Sequence, residues 1–161
     1  MIYCDLDGVL VDLAGKLSEI YGYQIKNGDK FIDYFNNYID KLTRKEKIDF
    51  WVNLPETKDC QSLWSYIKVY NPFILTSCSG SKEACEGKNT WCQNHIGVSG
   101  KRIICVEKSK LKKYYSSAGK ILIDDLTSNI QEWRDWGGNG ILHIDAETTI
   151  SELKSLTLSK E

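Results

Sequence analysis

Four aspartates fall in two short motifs, Asp5-Leu6-Asp7-Gly8 near one end of the chain and Asp124-Asp125 near the other. Carboxylates two residues apart on an extended segment share a face and repel, so they invite a cation or a shared proton. Oxygen ligands with incomplete protein coordination suit Mg²⁺. Thr76 and Ser77 add hydroxyls, and Lys108 adds a positive charge. Together these groups suit attack by a carboxylate on a phosphate ester. A divalent ion and an ammonium offset the repulsion between the two anions, and a hydroxyl with the N–H groups of a helix start holds the remaining oxygen. The attacking carboxylate then carries an aspartyl-phosphate, while Asp7 protonates the departing alkoxide and later deprotonates the attacking water. A single aspartate at a strand end is usually a turn or cap residue. Four at two strand ends, with a hydroxyl and a lysine at others, are poorly explained that way.

The elements that must position these groups alternate along the chain. β-branched, near-continuous apolar runs at 2–6, 73–76, 102–106, 121–124 and 141–144 read as strands buried on both faces. Helical patterns lie at 82–95, 109–116, 128–136 and 149–156, with Ser128 and Asn129 as candidate caps and Gly137-Gly138 as a stop. The expected fold is α/β: a five-stranded parallel Rossmann-like sheet with helices on both faces. Ligands of such sheets sit at the carboxyl ends of the strands, where the aspartates, Thr76, Ser77 and Lys108 all fall.

Residues 13–71 are too patterned for a loop and too long for one crossover helix. Helical apolar spacing recurs through Leu13, Leu17 and Ile20, then Phe31, Tyr34, Phe35 and Tyr38, then Ile48, Trp51 and Val52, then Leu63, Trp64 and Ile67. Gly22, Asn27, Gly28 and Pro55 break it. The expected organisation is therefore a core of 1–12 and 72–161 with a small helical module, 13–71, inserted after the first strand.

The 161 residues carry 21 basic and 22 acidic side chains, a net charge of −1, which argues against a general nucleic-acid or membrane-surface binder. The opening MIYCDLDGVLVD has neither the basic stretch nor the apolar core of a signal peptide, so a cytoplasmic chain is expected. Six cysteines form no C-x-x-C pair and are read as buried or semi-buried thiols, although Cys78, Cys85 and Cys92 recur every seven residues.

DLDGVLVD, ILTS, Lys108 and ILIDD, in this order at successive strand ends, resemble the four motifs of the haloacid dehalogenase-like (HAD) phosphohydrolases. The resemblance implies Asp5 as nucleophile, Asp7 as general acid/base, Thr76 as phosphate ligand and Lys108 as charge neutraliser. It implies Mg²⁺ held by Asp5, the main-chain carbonyl of Asp7, and Asp125, with residues 13–71 as the cap. Many members carry a further acid four residues after the metal-binding aspartate. Asn129 stands there, so Asp124 is expected to supply the charge. The other lysines of 101–113 read as a solvated helix face.

Within that superfamily the chain is most similar to the 5′(3′)-deoxyribonucleotidases, through Phe50-Trp51, Leu54-Pro55, the segment 73–77, Cys85, Lys88, Trp91, His95-Ile96-Gly97 and Leu122 to Asp125. Cys78 stands where they have proline. This likeness implies a Mg²⁺-dependent phosphatase of (deoxy)nucleoside 5′-monophosphates, with Phe50 and Trp51 as candidate base contacts and Ser77 and Lys88 as further substrate contacts. The rival expectation is a phosphatase for another small ester, such as a sugar phosphate. A nucleic-acid 3′-phosphatase fits less well, because acidic and basic residues balance at nine each over 12–71 and form no polyanion track. The expected partner is a small phosphomonoester, with no membrane or extended nucleic acid, and a homodimer through the face of the insertion is allowed. A nucleotide kinase would need GxxxxGK[ST] and a nicotinamide domain GxGxxG; neither occurs.

Overall fold

The computed structural model describes residues 1–25 and 30–158. Five strands, β1 (Ile2–Cys4), β2 (Phe73–Ser77), β3 (Ile103–Val106), β4 (Ile121–Asp124) and β5 (Asn139–Leu142), form one parallel sheet in the order β3-β2-β1-β4-β5. The α/β class and the five-stranded parallel sheet are thus as the apolar runs predict. Alternation along each strand divides the core. Ile2, Cys4, Ile74, Ile121, Ile123 and Ile141 face one layer, and Tyr3, Leu75, Val106 and Leu122 face the other.

Helices cover both layers. α4 (Cys60–Ile67), α5 (Lys82–Ile96) and α7 (Ala146–Leu158) supply Leu63, Ile67, Trp91, Ile96 and Leu153 to the first. α6 (Thr127–Asp135) supplies Ile130 and Trp133 to the second, joined by Leu111 and Tyr115 from a 3₁₀ segment, Ser109–Tyr115. Among the described residues no helix is long and apolar enough to cross a membrane.

Between β1 and β2 the chain forms α1 (Leu13–Tyr21), α2 (Phe31–Ile39), α3 (Arg44–Val52) and α4. The break read at Asn27-Gly28 lies outside the described residues. Asp12 caps α1 by accepting from the Gly15 N–H, and Thr43 with Glu46 makes a reciprocal capping box on α3. α3 lies close against α5 at Gly87, where any side chain would collide with the Trp51 Cβ and crowd the Ile48 carbonyl. This contact ties α3 to α5, one of the helices that cover the sheet.

Three local expectations need correction. The last strand starts two residues early, at Asn139, because α6 stops at once: Gly137 has φ +86° and Asn139 already donates to the Lys120 carbonyl. The 109–116 segment is 3₁₀ rather than α. Ser128 and Asn129 do not cap α6; the Asp124 carboxylate accepts from the Leu126 N–H, and Asn129 is spent on the same carboxylate.

Candidate active site

Asp5 is the first residue after β1, and its own N–H still donates to the Ile123 carbonyl of β4, so its carboxylate is fixed at the carboxyl end of the central strand. One carboxylate oxygen accepts from the Leu6 N–H at 2.8 Å, and the other pairs with Lys112 at 2.8 Å. The chain then turns sharply. Gly8 takes φ +77°, and a side chain there would run into the Asp125 carboxylate, so the loop after β1 lies directly on the end of β4.

The carboxyl oxygens of Asp5, Asp124 and Asp125 lie within 4.8 Å of one another. Asp124, fully buried, accepts from Lys112, from the Leu126 N–H and from the Asn129 amide on both of its oxygens. Burial and then the Asp5 charge raise its carboxyl to about 6. Burial followed by the charges of Asp5 and Asp124 pushes Asp125 up to about 8. The shift of Asp125 comes first from burial and then from its acidic neighbours, with Lys112 opposing it.

Lys112 is 2% exposed. Burial opposes its charge, but the carboxylates of Asp5 and Asp124 outweigh that cost and raise its pKa. Lys108, the neutralising lysine expected from the sequence, is exposed at the start of the 3₁₀ segment, whereas Lys112 lies on the face of that segment turned to the sheet and pairs with Asp5. A legible signal existed. Lys112 adjoins Leu111 and precedes Tyr115 by three, the two apolar residues that dock the segment.

Lys88 is a second buried cation. It donates to the Thr76 hydroxyl at 3.1 Å and the Ser77 carbonyl at 2.6 Å, pairs with Asp7, and lies 4.6 Å from the centre of the Trp51 ring. Its three N–H donors are thus used inside the protein, although Lys88 also lines the cleft where a substrate contact was expected. Burial raises the Asp7 carboxyl; Lys88 opposes that and the Asp5 charge adds to it. The second Asp7 oxygen is buried with no hydrogen-bond partner.

These groups line the floor of a cleft of about 520 Å³. Asp5, Asp7, Ser77, Lys88, Lys112, Asp125 and Asn129 contribute to it, with Trp51 and, from α2, Phe31, Ile32, Phe35 and Ile39. The expected residues do not all arrive there. Thr76 is fully buried beneath the surface, its hydroxyl against Lys88. Phe50 packs among Phe35, Tyr38 and Trp51 rather than in the cleft, because successive residues of α3 point to different sides. Sequence reasoning missed Asn129 as a carboxylate partner and α2 as the cleft wall, although the spacing of Phe31 and Phe35 already marked one helix face.

No protein-family model matches the chain, and no curated protein matches it. Solved structures do. A hydrolase from Streptococcus pneumoniae superposes with a TM-score of 0.56 at 10% identity, covering 95% of this chain and 97% of that one. A predicted HAD-like family hydrolase from Porphyromonas gingivalis gives 0.54 at 14%, covering 97% and 96%. A HAD family enzyme from Bacteroides thetaiotaomicron, in complex with magnesium and inorganic phosphate, gives 0.51 at 12%, covering 94% and 97%. At such identities the likeness is one of architecture: this chain has the fold of the HAD-superfamily hydrolases.

Proposed function

We propose that the chain is a Mg²⁺-dependent phosphatase of the HAD type acting on (deoxy)nucleoside 5′-monophosphates, with residues 13–71 as a cap on a core of 1–12 and 72–161. The observation that carries this reading is the clamped carboxylate of Asp5. It is held by the Leu6 N–H and Lys112 on the floor of a cleft whose opposite wall is apolar and aromatic.

The residues present fit a hard divalent cation: carboxylate oxygens of Asp5, Asp124 and Asp125 converge within 4.8 Å, a donor set of oxygens only. Asp5, Asp125 and the main-chain carbonyl of Asp7 would hold Mg²⁺. When bound, it supplies positive charge that lets a carboxylate approach a dianionic ester.

Asp5 is oriented by its two hydrogen bonds to attack phosphorus, breaking the bond to the ester oxygen and forming an aspartyl-phosphate. Lys112 stabilises charge on the phosphoryl group, and Asp124 with Asn129 keeps that ammonium in place. Asp7, with its raised pKa, carries the proton to the leaving alkoxide and then takes one from the water that cleaves the acyl phosphate. Lys88 steadies Asp7 and the Ser77 backbone. Phe31, Phe35 and Trp51 offer ring surface to a base, which favours a nucleotide over a sugar phosphate.

The test is a panel of dUMP, dTMP and dGMP against AMP, sugar phosphates and a 3′-phosphorylated oligonucleotide, with Mg²⁺. Preference for the 5′-deoxynucleotides supports the assignment. Preference for sugar phosphates overturns the substrate and leaves the mechanism, and no hydrolysis of any ester, p-nitrophenyl phosphate included, overturns both.

A further inference from the structure

Outside the acidic floor, a second set of ligand-type side chains converges. The sulfurs of Cys78, Cys85 and Cys105 lie within 4.8 Å of one another. They come from three separate places: the turn after β2, the first turn of α5, and β3. The turn creates the convergence. Ser79 and Gly80 take φ +47° and +75°, and the Ser81 N–H returns to the Cys78 carbonyl, so α5 starts back over the sheet and presents Cys85 to the other two. The Asn89 side-chain amide reaches the sulfurs of Cys85 and Cys105 at 3.7 and 3.8 Å. The expectation of plain thiols thus covers Cys4, Cys60 and Cys92, which are fully buried, better than it covers these three.

We propose that Cys78, Cys85 and Cys105 bind one thiophilic d¹⁰ cation of the Zn²⁺ class, with a fourth position left to water. Three thiolates at about 2.3 Å from a tetrahedral ion stand roughly 3.8 Å apart, within reach of the present arrangement by small rotations. Soft sulfur donors select such ions, whereas the oxygen set around Asp5 selects hard ones, so the two sites do not compete. Entry is available, since Cys85 and Cys105 are half-buried and Cys78 lines the cleft. Each thiol that coordinates releases its proton to solvent, so affinity rises with pH. Amide donation from Asn89 favours the charged sulfurs.

The experiment adds Cd²⁺ and Zn²⁺ to the reduced, Mg²⁺-saturated full chain. Cd²⁺ is expected to give a near-ultraviolet thiolate-to-metal charge-transfer band that saturates at one equivalent. Cys78→Ala, Cys85→Ala and Cys105→Ala should each weaken binding at least about tenfold, and Cys92→Ala should not. A measurement free of variants follows alkylation by iodoacetamide: one equivalent of Zn²⁺ should protect Cys78 and Cys85 in the peptide map. Absence of the band, a band that survives loss of any one of the three, or unprotected thiols would overturn the site. None of these readouts depends on phosphate-ester hydrolysis.

Discussion

The floor of the cleft and its α2 wall are built on opposite terms. On the floor, Asp5, Lys88 and Lys112, with Asp124 beneath them, are all at most 5% exposed, and each has named polar partners. Across the cleft, α2 buries none of its nine residues, and Ile32 is 52% exposed. Buried ions in a paired network have one low-energy arrangement, because any departure leaves a desolvated charge alone. An apolar helix face half open to water has no such constraint. Under the proposed function, the difference separates a region that sets the reaction from one that sets the substrate: geometry is fixed where charge would develop, and surface is adjustable where a ligand would be gripped.

The sharpest way to break this comparison is Asp5→Asn. We expect turnover of p-nitrophenyl phosphate to fall by roughly 10⁴-fold or more with the fold intact by circular dichroism. Activity within tenfold of the parent would remove Asp5 from the chemistry. Next is Lys112→Met, which leaves Asp5 and Asp124 buried without their shared cation. A loss of about 10² to 10³ in kcat is expected, with destabilisation of roughly 3–5 kcal/mol in urea titration. Lys108→Met, four residues earlier and exposed, should stay within about 0.5 kcal/mol and keep its rate.

Phe35→Ala probes the wall. Its KM for a deoxynucleoside monophosphate should rise about five- to a hundredfold, the range of one lost base stack, while kcat and hydrolysis of a non-aromatic ester barely change. A matching fall in kcat for both esters would mean that the wall also positions the chemistry. The last expectation concerns stability against pH. Asp125 is raised to about 8 from its ordinary 3.8 by burial first and then by Asp5 and Asp124. The folded state therefore binds more protons than the unfolded state between those values, and the metal-free protein loses stability as pH rises from about 4 to 8. Urea midpoints at pH 5 and 8 should show this slope, and Mg²⁺ or Asp125→Asn should flatten it. An unchanged slope in the variant would place the strain elsewhere.

The sheet was legible because buried parallel strands read as apolar runs, and the aspartates because they stand where those runs stop. Lys112 was not legible by the same rule. Its cluster contains Lys108, Lys110 and Lys113, and charge alone cannot say which ammonium turns inward; packing of Leu111 and Tyr115 decides it. Asn129 was read for the charge it lacks, whereas its amide matters as a donor to Asp124. Phe50 and Trp51 are neighbours in sequence but part company in space, one in the core and the other in the cleft wall, since a helix rotates each residue by about 100°. The thiol cluster was hidden because Cys105 comes from another strand, outside any local spacing.

The 3₁₀ segment carrying Lys112 has a consequence for how this chain could diverge. With three residues per turn, each added or deleted residue between β3 and Lys112 swings the ammonium by about 120° around the segment axis. Exchange of side chains at 108, 110 or 113 leaves that heading alone. Under the proposed function, descendants of this sequence should therefore drift at those three positions while keeping Leu111, Lys112, Tyr115 and the length of the stretch, and a one-residue gap there would mark a lineage that has given up the reaction.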